Sequence, residues 1–359
     1  MIRFKTSIDL PVERGFVLVS VIWTVAIASI VIAFASVQIE RGLTKAVSEK
    51  ERFQAELDAL ATQQTVLYLL ATREKNVSGL DIDRKHTRVI NRDPFSRESY
   101  MVGENTLKFD QTVYAGIGEC LFSMQDSANL FSLRSKNLDG VRSLLLHLGK
   151  SKAEAKRMLA LLRDYTDRDS SARLSGGEYR DYPLVEREYF PRNRYLNNPG
   201  ELKNLIFWKS FLSDSEFSAI LKEVSIYPGE LLNFNLMTPV RIGIVSGSQH
   251  IISDVLEYRN TKSFVSKEEV KKLTGIVDQN ILERLSFYPS KHTITRTFCE
   301  RNLGENIQSV SLTPDSNFAP WELDYYLNLA ESQILDENLF REDSENNSKI
   351  PKRYPLFSE

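Results

Sequence analysis

From Phe16 to Ile39 the sequence FVLVSVIWTVAIASIVIAFASVQI carries no charge, and no later apolar stretch matches it in length. About 20 consecutive apolar residues in a helix cross ~30 Å of hydrocarbon, so the run predicts a membrane-spanning helix near the N-terminus. The helical pattern continues beyond it. Ala46, Lys50, Phe53, Leu57, Leu60, Gln64, Leu67 and Ala71 recur at alternating steps of four and three, the period of one helix face, and no proline falls between Phe16 and Lys75. The expectation is one long helix, its first half in lipid and its second half laying this stripe on a sheet. A membrane-proximal coiled coil is the alternative, and Lys50 and Gln64 within the stripe weigh against it.

After Asn76 the pattern shortens. SYMV (Ser99 to Val102) and TVYAGIG (Thr112 to Gly118) lie between Gly, Asn, Asp and Pro and read as modest strands. The chain then becomes helical. Leu138, Val141, Leu144, Leu145 and Leu148 form one amphipathic series ending at Gly149, and Ser151 with Glu154 makes a capping box. Asn198, Pro199 and Glu201 read as the start of another helix, as do Thr238 with Pro239 and Ser266 with Glu269. LSFYP (Leu285 to Pro289), HTITRTF (His292 to Phe298) and NIQSVSL (Asn306 to Leu312) return to strand-like alternation, and the end is rich in charge, Ser and Asn. The fold class expected is α+β, with a long N-terminal transmembrane and amphipathic helix on a small antiparallel sheet and a large all-α domain inserted between strands. The boundaries are 16–39 for the span, 40–124 for the helix continuation and first strands, 125–280 for the insert, 281–341 for the last strands and 342–359 for a flexible tail.

Composition narrows the chemistry. The chain has 359 residues, 42% hydrophobic and 26% charged, with a formal net charge of -2, so overall charge points to no nucleic-acid partner. Four histidines, His86, His147, His250 and His292, form no metalloprotease motif, and no phosphate-cradling glycine loop occurs. No enzyme is expected. Cys120 and Cys299 match no metal or redox spacing; in an oxidising compartment they could pair, and two buried free thiols are the alternative.

The residues before the span add a second signal. Gly15 stands between charged residues and an apolar Phe16, which resembles the leader of type IV prepilins and pseudopilins; an uncleaved signal anchor is the other reading. The resemblance implies a leader at 1–15, cleavage after Gly15 by a prepilin peptidase and methylation of Phe16. Most members carry glutamate at mature position five, where this chain has Ser20. The K-type minor pseudopilin of type II secretion commonly lacks that glutamate. Charges flank both ends of the span, so the positive-inside rule does not orient it; a periplasmic ectodomain rests on the resemblance.

Inside the large domain the chain reads LLRDYTDRD at Leu161 to Asp169, GGE at Gly176 to Glu178, PRNRYLNNPGEL at Pro191 to Leu202 and NFNLMTP at Asn233 to Pro239. These segments resemble those of the K-type pseudopilins at Asp167, Asp169, Gly176, Glu178, Asn193, Arg194, Leu196, Glu201, Leu202, Asn233, Asn235 and Pro239. The departures are Tyr165, Gly177 and Tyr195, where the family has tryptophan, alanine and proline. The resemblance implies an inner-membrane subunit that joins the I-type and J-type minor pseudopilins at the tip of a periplasmic pseudopilus. It would initiate or cap assembly on the major pseudopilin and the inner-membrane secretion platform, for export of folded cargo. The alternatives are an unprocessed membrane-anchored module that binds calcium or another ligand, and a minor pilin of a type IV pilus. The Asn233 to Pro239 stretch also resembles helix-hairpin-helix DNA-binding modules, but Asn233 to Val245 supplies only Arg241 for phosphates; turn capping explains it better.

Asp164, Asp167, Asp169 and Glu178 crowd one stretch that reads as a loop. Calcium takes six to eight oxygen ligands from such loops, and some K-type pseudopilins bind it in the ectodomain. Asp167, Asp169 and Glu178 are the candidate ligands; a solvated acidic turn with a helix N-cap is the competing reading.

Overall fold

The computed structural model describes residues 16–82, 105–182, 190–300, 304–330, 352–354 and 357. Gly15 with the rest of the leader, the strand expected at Ser99 to Val102 and most of 342–359 lie outside them. The chain divides between Gln54 and Ala55 into two compact units. Helix α1 (Phe16–Thr72) supplies the described part of the first unit and opens the second.

In the first unit α1 is, among the described residues, the one helix long and apolar enough to cross a membrane. Its large apolar side chains from Val17 to Ile39 are exposed, which is compatible with single-pass anchoring. The hydroxyls of Ser20, Thr24 and Ser29 donate to the carbonyls of Val17, Val21 and Val25 at 2.8–2.9 Å. These three hydroxyls thus satisfy themselves on their own helix, which removes much of the cost of placing them in hydrocarbon.

In the second unit the short strand β2 (Gly79–Asp81) pairs antiparallel with β1 (Lys75–Asn76) on one side and β3 (Thr106–Leu107) on the other. The main sheet is built from β4 (Asp110–Ala115), β5 (Cys120–Asp126), β8 (His292–Cys299), β9 (Gly304–Leu312), β10 (Trp321–Ala330) and β11 (Lys352–Arg353), in the order β10-β9-β8-β5-β4-β11. All its pairings are antiparallel except β11 on β4. Between the neighbours β5 and β8 the chain leaves the sheet. It makes β6 (Phe131–Ser132), which pairs in parallel with β7 (Val224–Ser225), and the helices α2 (Asp139–His147), α3 (Lys152–Thr166), α4 (Trp208–Phe211), α5 (Asp214–Glu223), α6 (Pro239–Ser246), α7 (Gln249–Thr261), α8 (Lys267–Thr274) and α9 (Gln279–Glu283).

The helix starts follow local chemistry. Ser151 caps α3 with the full capping box, Thr238 caps α6 by accepting from Arg241 N–H at 3.1 Å, and Ser266 caps α8 by accepting from Glu269 N–H at 3.2 Å. Pro199–Asn204 is a 3-10 turn, not the α-helix expected there, and Asn198 makes no side-chain cap. The Glu201 carboxylate instead reaches back to Asn197 N–H at 3.0 Å.

Two helical cores result. One gathers Leu144, Leu145, Met158, Leu162, Tyr165 and Trp208; the other gathers Phe234, Ile242, Val255, Phe264, Val270 and Leu282. Beneath α1, the sheet side chains Tyr114, Phe122 and Met124 pack with Val66, Leu69 and Leu70.

Four further expectations change. The face of α1 buried in this unit carries Ala55, Ala59, Thr62, Val66, Leu69 and Leu70; of the expected stripe Leu67 is buried with it, while Leu57 and Leu60 are exposed. The reason is close approach: Ala55 and Ala59 cluster with Cys120 and Cys299, and only small side chains fit over that point. LSFYP forms no strand; Leu285 makes a single bridge to Leu232. β10 adds a strand to those named from the sequence, and its segment WELDYYLNLA alternates apolar Trp321, Leu323, Tyr325, Leu327 and Leu329 with Glu322, Asp324 and Asn328. Finally, part of the expected flexible tail is ordered. Tyr354 and Phe357 are buried, with the Phe357 ring 4.8 Å from that of Phe122, so the apolar pair outweighs the polar composition around it.

Candidate functional site

The acidic stretch is organised from the C-terminal end of α3. Asp164 belongs to the last turns of that helix rather than to a loop, and it is fully buried. It accepts from Arg173 N–H at 3.0 Å, from Gly177 N–H at 3.0 Å and from Arg173 Nη1 at 2.6 Å. The same guanidinium bonds Asp167, which ends α3. One buried carboxylate therefore folds the following loop back on the helix. Gly176 makes that closure possible: a Cβ there would stand 1.9 Å from Asp164 Oδ2.

The loop returns Glu178 to Asp167 and Asp169. One carboxylate oxygen from each of the three lies within 4.8 Å of the others. Asp169 Oδ1 accepts from Ser171 N–H at 2.8 Å and its carbonyl accepts from Asn193 Nδ2 at 3.0 Å. Asn193 adopts a left-handed backbone, φ 50°, and donates its N–H to Tyr165 O at 3.1 Å, which ties the Asn193 loop to α3.

Glu178 is the odd member. It is 5% exposed, and among the described residues neither carboxylate oxygen has a hydrogen-bond partner. Burial, and then the charges of Asp164, Asp167 and Asp169, push its carboxyl up to about 7. Asp167 Oδ1 and Asn193 Oδ1 are likewise buried without partners. Uncompensated buried acceptors beside concentrated negative charge are costly, and a hard divalent cation is the group that would answer them. The donor set, all oxygen and mostly carboxylate, fits calcium rather than zinc or a softer metal. Asp167, Asp169 and Glu178 are thus the sequence candidates that the fold brings together. Arg173 and Gly176 set the geometry. Arg173 carried no recognisable signal, since its partners lie nine and six residues away around a turn.

The other candidates fall elsewhere. Ser20 is exposed on α1. Cys120 and Cys299 lie opposite each other in the β5–β8 pairing and are joined as a disulfide. Gly15 lies outside the described residues.

Comparison with known proteins places this arrangement. Residues 122–228 match the family described as type II secretion system (T2SS), protein K, and this segment contains α3, the acidic loop and Asn193. The fold is similar to a chain of the crystal structure of the GspK-GspI-GspJ complex from the type 2 secretion system of enterotoxigenic Escherichia coli. The TM-score is 0.52 at 14% identity, over 79% of this chain and 99% of that one; at that identity the likeness is one of fold. No curated protein sequence matches the chain. Over 122–228 the chain is thus similar to protein K of type II secretion systems, and the structure shares the fold of a chain from such a complex.

Proposed function

We propose that the protein is the K-type subunit at the tip of a type II secretion pseudopilus, joined there to I-type and J-type minor pseudopilins. The observation that carries this reading is the protein K family match over 122–228; the fold shared with a chain of a GspK-GspI-GspJ complex supports the choice of partners. The apolar half of α1 would hold the subunit in the inner membrane, with the second unit in the periplasm. Cleavage after Gly15 and methylation of Phe16 would leave a free amine that a neighbouring subunit's carboxylate can pair with. Ser20 offers no carboxylate in return, so the subunit can join the one below it without the usual charge pairing above, as suits a member that starts or caps the filament. The family is a structural component of secretion, and the role proposed involves no catalysis.

Calcium forms part of this reading. Asp167, Asp169 and Glu178 would hold it, and binding would neutralise repulsion at the loops after α3 and fix their conformation. The unpartnered carboxylate of Glu178 is the supporting observation.

The deciding experiment is the intact mass and N-terminal residue of the protein from membranes with and without prepilin peptidase. Together with it goes co-purification with the I-type and J-type subunits. A chain beginning at methylated Phe16 only when the peptidase is present is expected, and Gly15→Ala should block both processing and entry into the tip complex. A chain retaining residues 1–15 in both strains would leave an anchored periplasmic calcium-binding module in place of a pseudopilin.

A further inference from the structure

A small, partly open polar space lies where the short β1–β2–β3 sheet meets the helices. It is lined by Ser78, Lys108, Asn235, Arg259 and Ser263, and its volume is ≈ 10 Å³. The hydrogen bonds around it leave specific groups unanswered. Arg259 comes from α7 and is 6% exposed. Its Nη2 bonds the Asp110 carboxylate and its Nη1 donates to Met237 O at 2.7 Å. Its Nε–H is buried and, among the described residues, has no partner. Ser78 and Ser263, both buried, share one hydrogen bond at 2.8 Å between their hydroxyls. Two hydroxyl protons serve one such bond, so one proton and several lone pairs remain. Asn235 is already engaged, donating to Phe264 O at 2.9 Å and accepting from Phe264 N–H at 2.7 Å.

The occupant that fits must accept from a guanidinium N–H and exchange a hydrogen bond with a hydroxyl. Two cations line the space, which disfavours a positive guest. About 10–15 Å³ of such volume is what one water molecule needs, and a buried water makes about three hydrogen bonds. We propose that this cavity holds one ordered water, accepting from Arg259 Nε and bonded to the Ser78–Ser263 hydroxyl pair. Such a water joins the β1–β2 turn, α7 and the α7–α8 connection at a point where no direct side-chain bond spans all three. The Ser78 main chain does not depend on it, since Ser78 N–H is held by Asn76 Oδ1 at 2.8 Å.

The test is a high-resolution crystal structure of the full chain in detergent, grown with bromide as the only halide. The expected result is one density peak within hydrogen-bond distance of Arg259 Nε and a serine hydroxyl, with no anomalous signal. An empty cavity, or an anomalous peak marking a halide, would overturn the assignment. In solution, Ser78→Val puts methyl groups into the space. Oxygen-17 relaxation dispersion should then count one fewer long-lived water than in the unaltered protein, and an unchanged count would also overturn it. If that variant does not fold, the same count on Ser263→Val serves.

Discussion

Asp126 and Glu178 are buried to nearly the same degree, 2% and 5% exposed, and burial raises the carboxyl of each. Their surroundings differ completely. Asp126, where the chain leaves the sheet, accepts from Ala128 N–H at 3.0 Å, from Ser290 N–H at 2.6 Å and from Ser290 Oγ at 2.5 Å, with the Lys75 charge nearby. It closes the junction through which the helical segment departs and returns. Glu178 meets three other acids; the Tyr179 N–H lowers its carboxyl only slightly, and among the described residues neither carboxylate oxygen completes a hydrogen bond. The fold supplies the first carboxylate with its donors and leaves the second short of them. Burial alone therefore does not separate a structural acid from a candidate binding one; the inventory of donors does.

The largest test of this contrast is Asp126→Ala. It orphans the N–H groups of Ser290 and Ala128 and removes the charge beside Lys75, and should lower stability by about 3 kcal/mol, read from denaturant unfolding. A loss no greater than that of a surface substitution would erase the difference between the two acids. Next comes calcium. At a hundredfold excess over its dissociation constant, a ligand specific to the folded state stabilises it by about 2.7 kcal/mol. The unaltered protein should show such a gain in thermal scans with calcium against chelator, and Glu178→Gln should show none. An equal gain in both would move the site away from Glu178. Gly176→Ala should cost ~2 kcal/mol, because its Cβ has to displace the Asp164 carboxylate; a neutral result would mean that the loop closes by another route. The smallest effect is expected from Ser266→Ala, which removes the cap of α8 and should cost ~1 kcal/mol. It should leave the calcium response untouched, separating general loosening from loss of the site.

What could be read beforehand depended on how local the cause was. Caps at Ser151, Thr238 and Ser266 are settled within four residues, and they stand where expected. The strands at His292 and Asn306 alternate clearly and also form. The buried face of α1 was misjudged because apolar Leu57 and Leu60 outweigh Ala55 and Ala59 in any periodic count. The latter pair is buried because of what approaches it from the sheet, more than sixty residues on. The candidate acidic ligands are visible as residue types, but their convergence depends on Asp164, Arg173 and Gly176 folding one loop against α3. Tyr354 and Phe357 were hidden in a polar tail, since two aromatic residues make no pattern until a sheet edge supplies their partners.

The bond between Cys120 and Cys299 has a consequence for the folding chain. These residues are direct partners in the β5–β8 register, although 179 positions apart in sequence. Side chains alternate between sheet faces, so a slip of one residue would send the two sulfurs to opposite sides. In an oxidising compartment only correctly aligned strands could be sealed, and oxidation thereby serves as proofreading of the sheet. Once sealed, the alignment no longer depends on whether the long helical excursion between the strands has finished folding.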